Sequence, residues 1–333
     1  MSESRKSDHI DLTYESRPTS QFRKNDFYYE PLFSSHPVES DSYDKNFIDF
    51  EFKMPLWVSS MTGGTARAKN INANLARACG EFGFGMGLGS CRSLLDSDDR
   101  LSDFDVKHLM PNMPLYANFG ISQIEQLLDK KEIHKVWNVC EKLNADGVIV
   151  HVNPLQEWAQ PEGDLIKTPI IETLTTFSEI CPFPLIVKEV GQGFGPKSLN
   201  ALCMLPLKAI EFASYGGTNF TLLEDKRKNK SNEGVGYNHQ FSKIGHSAEE
   251  MIGFLKDISK NKIRCKNFII SGGVSDALYA HYLLESMPNN TNSVVGMASA
   301  LLKYSTEDYE TLKKYILNLK NQFNLAKSFY TRG

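Results

Sequence analysis

Residues 146–191 read DGVIVHVNPLQEWAQPEGDLIKTPIIETLTTFSEICPFPLIVKEVG. Two short runs rich in β-branched residues, DGVIVHVN (146–153) and PLIVKEVG (184–191), flank a helix-length stretch. Parallel strands need a crossover of a dozen or more residues, usually a helix, so this spacing implies a parallel pair. The same rhythm extends in both directions. Upstream lie MPLWVSSM (54–61), FGMGLGS (84–90) and PLYANFG (114–120); downstream lie AIEFASYG (209–216), NFIISGG (267–273) and SVVGMAS (293–299). Helix-length segments separate them, such as 66–82 and 122–143. The second has apolar residues at Ile124, Leu127, Leu128, Val136, Val139 and Leu143, broadly helical in spacing, and Ser122 with Glu125 reads as a capping box at its start. Eight strand–helix units predict an α/β protein, a closed (β/α)8 TIM barrel, a fold of about 250 residues. A doubly wound open sheet is the competing arrangement.

Two regions stand outside the rhythm. Residues 1–53 mix charge, turn formers and aromatics (Phe22, Phe27, Tyr28, Tyr29, Phe33) and predict an irregular N-terminal extension, helical in part, packed on a barrel of residues 54–333. Residues 224–246 are polar, rich in Lys and Asn and without period, which predicts a long loop over the end of a strand, a lid.

Composition narrows the function classes. With 41% hydrophobic and 23% charged residues the chain is an ordinary globular one, and a net charge of −3 offers no footprint for nucleic acid or an anionic membrane. No apolar run approaches the roughly 18 residues of a membrane span, and the start, MSESRKSDHIDL, is too polar for a signal peptide. Six cysteines without a CxxC pair suit reduced thiols and a cytoplasmic location.

In such barrels the chemistry sits at the C-terminal ends of the strands. Gly-rich turns follow the sixth, seventh and eighth strands: Gly216-Gly217-Thr218, Gly272-Gly273 and Gly296-Met297-Ala298-Ser299. Glycines let backbone N–H groups approach a phosphate, and the helices that follow present their N-termini to it. Lys188 lies within an apolar strand, where alternation aims it into the barrel mouth and a buried ammonium requires an anionic partner. His151 ends the strand before it and is equally compatible with a satisfied core position. The glycines at 85, 87 and 89, and at 191, 193 and 195, are spaced by two, so neither group forms the G-x-G-x-x-G dinucleotide fingerprint.

Taken in order, the strand-end strings resemble the type II isopentenyl diphosphate isomerases, FMN-dependent barrel enzymes. The pieces are Arg5-Lys6-x-Asp8-His9-Ile10, Met61-Thr62-Gly63-Gly64, Ser90-x-Arg92, Ala117-Asn118-x-Gly120, the run His151 to Glu157, Lys188-Glu189-Val190-Gly191 and Tyr215 to Phe220. The resemblance implies interconversion of isopentenyl and dimethylallyl diphosphate by a 1,3-allylic proton shift, with reduced FMN, Mg²⁺, and NAD(P)H to reduce the flavin. Ser60, Met61, Thr62, Ser90 and Asn118 would line the flavin ring, with Lys188 at its N1–O2 edge. Ser214, Thr218, Gly272, Gly273, Ala298 and Ser299 would hold its phosphate. Arg5, Lys6, Ser90, Arg92 and Asn153 would bind the substrate diphosphate, Gln156 would sit at the isoprenoid carbons beside His151 and Lys188 as catalytic residues, and Glu157 would bind Mg²⁺. The resemblance also implies a homo-tetramer or octamer. One departure is visible: the family commonly carries an Arg shortly after the seventh-strand glycines, where this chain has Val274-Ser275-Asp276, leaving backbone amides, Ser275 and Lys303 for the phosphate. The alternatives are an FMN-dependent 2-hydroxy acid oxidase and a barrel that binds a phosphorylated ligand without turnover. The oxidases use a His-x-x-Arg pair, and no His of this chain has Arg three residues later.

Overall fold

The chain enters the fold through α1 (Glu3–Asp11), β1 (Phe27–Tyr29) and a small hairpin, β2 (Lys45–Phe47) and β3 (Phe50–Phe52). Eight parallel strands follow: β4 (Leu56–Val58), β5 (Gly85–Ser90), β6 (Leu115–Gly120), β7 (Gly147–His151), β8 (Leu185–Lys188), β9 (Ala209–Glu211), β10 (Asn267–Ser271) and β11 (Asn292–Met297). They hydrogen-bond in chain order, and β11 closes on β4 through Val295↔Leu56, Gly296↔Trp57 and Met297↔Val58. This computed structural model describes residues 3–13, 15–16, 27–38, 41–60, 63–230, 240–259 and 262–332. All eight expected strands are present and closed into the barrel, so the open-sheet alternative falls.

The barrel is a packed core. Val148, Ile149 and Val150 of β7 and Ile186 and Val187 of β8 are fully buried, because helices cover the outside while side chains from every strand fill the inside. Trp57 and Tyr116 meet edge to face, with ring centroids 5.7 Å apart, and the neighbouring strand must be glycine: a Cβ on Gly147 would lie 2.2 Å from the Tyr116 ring.

The outer helices are α2 (Ala66–Phe82), α3 (Ile121–Asp129), α4 (His134–Lys142), α5 (Pro154–Ala159), α6 (Ile170–Ile180), α7 (Pro196–Met204), α8 (Phe220–Lys230), α9 (Ala248–Ile258), α10 (Ala277–Ser286), α11 (Ser299–Ser305) and α12 (Tyr309–Phe329), with β12 (Tyr330–Arg332) at the end. The extension packs on this frame: β1 pairs antiparallel with β12, and Phe47 and Phe52 are fully buried.

Two sequence expectations change. The 122–143 segment is two helices, not one, because Asp129-Lys130-Lys131-Glu132 supplies no apolar side chain to a continuous buried face, and Lys131 turns the chain at φ 58°. Its capping box does not form. Gln123 Oε1 instead accepts the Gly120 N–H at 2.9 Å, and the Glu125 carboxylate accepts the N–H groups of Lys167 (3.1 Å) and Thr168 (2.6 Å). The 224–246 stretch also begins as helix, since α8 runs to Lys230. There Glu224 pairs with Arg227 one turn on at 3.1 Å. Residues 231–239 lie outside the described residues, and a short 3₁₀ turn at Phe241–Lys243 follows them.

Candidate active site

An open pocket sits on the C-terminal ends of β4, β8, β9, β10 and β11. Lys188, the last residue of β8, forms its floor. Its side chain is buried, and Nζ donates to the Glu189 carbonyl at 2.8 Å. Lys188 and the adjacent Glu189 side chain point to opposite faces, as alternation requires, and form no salt bridge. The Glu189 carboxylate instead accepts the N–H groups of Gly191, Gln192 and Gly193 at 2.6–2.9 Å, bracing the turn after β8.

The carboxylate that faces Lys188 is Glu211. The two residues are register partners across β8 and β9, and Glu211 is fully buried. Burial pushes the Lys188 ammonium below its usual range, opposed by the charges of Glu211 and Glu189. Burial pushes the Glu211 carboxyl up, opposed by Lys188 and by the Ser59 and Ser271 hydroxyls. On the other side of Lys188 stands its register partner His151, whose Nδ1 lies 2.9 Å from Asn118 Oδ1. Burial and then the Lys188 charge push His151 down to about 3, so its imidazole is neutral at physiological pH. An amide oxygen can only accept, so Nδ1 carries the proton and Nε2 is left as an acceptor.

Several polar atoms at this floor have no protein partner. The Ser60 hydroxyl and Trp57 Nε1 are buried without one, and the Ser59 hydroxyl and Glu211 Oε2 are buried near each other without closing a hydrogen bond of good geometry. The pocket wall beyond them is a glycine cradle from the turns after β9 and β10. Gly216, Gly272 and Gly273 have φ of 113°, 91° and 74°, and a Cβ on Gly217 would lie 2.9 Å from Gly272 Cα. Thr218, Gly272, Gly273, Ala298 and Ser299 all line the pocket, the last two where α11 begins. Ser214 lies beneath the cradle. Its hydroxyl meets the carbonyls of Ser271 (2.8 Å) and Gly272 (2.9 Å), so it holds the turn that shapes the cradle. Ser275 donates to Asp276, and Asp276 caps α10 through the Tyr279 N–H. Both are thereby occupied, and the donors offered to a phosphate are chiefly backbone amides. Unpartnered hydroxyls, a buried cation and a dense amide cradle fit a flavin mononucleotide: polar ring edge on the floor, phosphate in the cradle.

A second group of residues is organised by α5, which starts at Pro154. Asn153 Nδ2 donates to Gln156 Oε1 (3.2 Å) and Glu157 Oε1 (3.0 Å). The buried Glu157 also accepts the Asp164 N–H (2.8 Å) and the Ser122 hydroxyl (3.4 Å). Gln156 Nε2 makes a long contact with Glu224 Oε1 (3.5 Å), which Gln160 binds more closely (2.8 Å). Arg92 pairs with Asp164 at 3.0 Å, and Ser90 Oγ accepts the Arg92 N–H at 3.4 Å. Glu157 keeps its carboxylate oriented with lone-pair capacity to spare, so it fits one ligand of a hard cation. Among the described residues no cluster of three or more His, Cys, Asp or Glu could hold a metal by itself, so Mg²⁺ here would complete its shell from substrate phosphate and water.

The structure thus brings together Ser60, Lys188, Thr218, Gly272, Gly273, Ala298 and Ser299 in one pocket, and Asn153, Gln156, Glu157 and Arg92 in one network. Asn118 and His151 stand beside Lys188. Met61 and Thr62 lie outside the described residues. Arg5 and Lys6 are exposed on α1, and among the described residues no hydrogen bond or ion pair ties them to the strand ends. Sequence reasoning missed Glu211, Ser59, Asp164 and Glu224. Glu211 carried a usable signal, a single acid inside the apolar run AIEFAS, the same kind that marked Lys188.

Among known proteins, the isopentenyl-diphosphate delta-isomerase of Rickettsia prowazekii is 31% identical over 303 residues, 90% of this chain and 85% of that protein. The chain belongs to the isopentenyl-diphosphate delta-isomerase family. Its namesakes from Rickettsia africae (29% over 326 residues, 97% of this chain and 92% of that protein) and Rickettsia felis (35% over 233 residues, 68% and 66%) agree. No family model matches the chain. Among solved structures, a flavocytochrome b2 variant with sulfite bound superposes with a TM-score of 0.61 at 12% identity, covering 90% of this chain and 71% of that one. A mandelate oxidase variant with (S)-mandelic acid gives 0.58 at 11%, covering 92% and 87%. These two likenesses show that the isomerase family chain shares its barrel fold with enzymes of other chemistry. No described helix is long and apolar enough to cross a membrane.

Proposed function

We propose that this protein interconverts isopentenyl and dimethylallyl diphosphate by a 1,3-allylic proton shift, using reduced FMN and Mg²⁺. NAD(P)H serves only to reduce the flavin, because the shift itself has no net redox change. The observation that carries the reading is membership of a family named for this reaction in a chain that keeps Gln156 and Glu157 side by side at the mouth and Lys188 beneath it. Reduced FMN, when bound, supplies the acid/base group at the alkene. The protein's share is position and charge. Lys188 supplies a fixed positive charge at the floor, where low dielectric makes it effective. Neutral His151 offers Nε2 as an acceptor beside it. Glu157 holds Mg²⁺ against the substrate diphosphate, with Arg92 and Ser90 nearby and Arg5 and Lys6 completing the anion site. Remote binding of the diphosphate then orients the reacting carbons. Gln156, neutral and polar, positions the alkene without neutralising a cation-like centre. We further propose a cytoplasmic homo-tetramer or octamer.

The test is anaerobic incubation of the purified protein with FMN, dithionite, Mg²⁺ and isopentenyl diphosphate. Dimethylallyl diphosphate is the expected product, and its absence from flavin-loaded protein overturns the reading. Oxidation of a 2-hydroxy acid under aerobic conditions would instead assign the oxidase reading.

A further inference from the structure

Glu211 has no part in the reaction as set out above, yet it is among the most deeply buried residues of the site. It is fully buried and lines the same pocket as Lys188. Its Oε1 accepts the Ser271 hydroxyl at 3.0 Å, while its Oε2 is buried and closes no hydrogen bond, with the Ser59 hydroxyl close by. It does not close a direct ion pair with Lys188, whose Nζ is turned to the Glu189 carbonyl at 2.8 Å. Two opposite charges thus face each other across one strand register, and one carboxylate oxygen stays free to take a proton.

The charged and titratable neighbours are few. From β8 comes Lys188, from β7 the neutral His151 beyond it, and from the residue after β4 and from β10 the hydroxyls of Ser59 and Ser271. The Glu189 carboxylate is spent on three backbone N–H groups. Before reduction, one positive and one negative charge balance at this floor. If the site holds FMN, two-electron reduction that leaves the ring anionic adds a second negative charge beside Lys188. A dry floor with one cation and two anions is costly, and the cheapest relief is to protonate the anion with an unpartnered oxygen.

We propose that Glu211 is a redox-linked proton acceptor: when the flavin above Lys188 is reduced, the Glu211 carboxylate takes up one proton from solvent. The overall step is two electrons from the reductant and one proton to the flavin ring, with a second proton to Glu211 Oε2. The direction of the carboxyl shift on burial agrees. This inference rests on the FMN reading above and identifies Glu211 as a positioning residue for charge, acting through Lys188.

The experiment is a spectroelectrochemical titration of the FMN-loaded protein between about pH 7 and pH 9. A tenfold change in proton activity moves a two-electron couple by about 30 mV per proton bound. The wild type is expected to show about 59 mV per pH unit, with the ultraviolet spectrum of an anionic reduced ring. Glu211→Gln, which cannot take the proton, is expected to halve that slope. A one-proton slope in the wild type overturns the proposal, and so does a two-proton slope that survives in Glu211→Gln. Infrared difference spectra of the wild type, reduced minus oxidised, keep the test independent of whether the variant folds. A protonated carboxyl band should appear on reduction, and its absence overturns the proposal. Protein that binds no FMN at all refutes the FMN reading instead, so the two failures are distinguishable.

Discussion

The floor of the site and its rim are built on opposite principles. At the floor, Ser59, Ser60, Trp57 and Glu211 keep buried polar atoms without protein partners. At the rim, Asn153, Gln156, Glu157, Asp164 and Arg92 are linked in a chain of bonds of 2.8–3.2 Å, with Asn153 Oδ1 left buried without a partner. Buried polar groups left unpaired cost about 1–3 kcal/mol each, so the floor gains bonds when a ligand arrives. The rim must give bonds up to engage one. That difference suits a resident cofactor below and an exchanging substrate above: the floor favours retention, and the rim can re-form when product leaves.

Four variants test this contrast. Lys188→Met should have the largest effect, because it removes the charge at the floor while roughly keeping volume. Turnover should fall about 10³-fold, the flavin midpoint potential should drop, and FMN should still bind in the cradle. An unchanged potential would place Lys188 away from the ring. Glu157→Gln keeps the shape and one acceptor but loses the carboxylate. A loss of about 10²-fold is expected with a flattened Mg²⁺ dependence, and a wild-type Mg²⁺ titration would exclude Glu157 as the metal ligand. Gln156→Ala should lower kcat by roughly 10- to 100-fold with little change in KM, the pattern of an interaction made mainly in the transition state. Raised KM with normal kcat would make it a binding residue. Asp164→Asn should have the smallest effect, and of the opposite sign. It releases Arg92 from a half-exposed ion pair worth up to about 1 kcal/mol, so KM for the diphosphate should fall about two- to fivefold. An unchanged KM would mean that Arg92 does not trade Asp164 for substrate.

The barrel was legible because its signal is periodic and local. Eight β-branched runs at crossover spacing leave few alternatives, and the helix-length segment 66–82 coincides with α2, which Thr65 caps and Gly83, at φ 71°, ends. The break at Lys131 and the helical start of 224–246 were not legible. Both depend on which side chains a neighbouring helix covers, as when Glu224 meets α5 through Gln156 and Gln160.

The site divides in the same way. Residue types at strand ends are written in the chain: a lysine within an apolar strand, glycines after three strands, and the run from His151 to Glu157 each announce a kind of chemistry. Partnership is not written there. Lys188 called for an anionic partner without naming one, and its facing charge is Glu211, 23 positions on and one strand over. Ser214 and Ser275 looked like phosphate ligands, yet their hydroxyls serve Ser271, Gly272 and Asp276. Ser122 looked like a helix cap, but its hydroxyl reaches Glu157. The physical reason is that residue type and alternation are local properties of the backbone. Which carboxylate answers a buried cation, or which hydroxyl stays free for a ligand, is set by strand register and closure, which bring distant positions within the few ångströms over which hydrogen bonds and desolvation act.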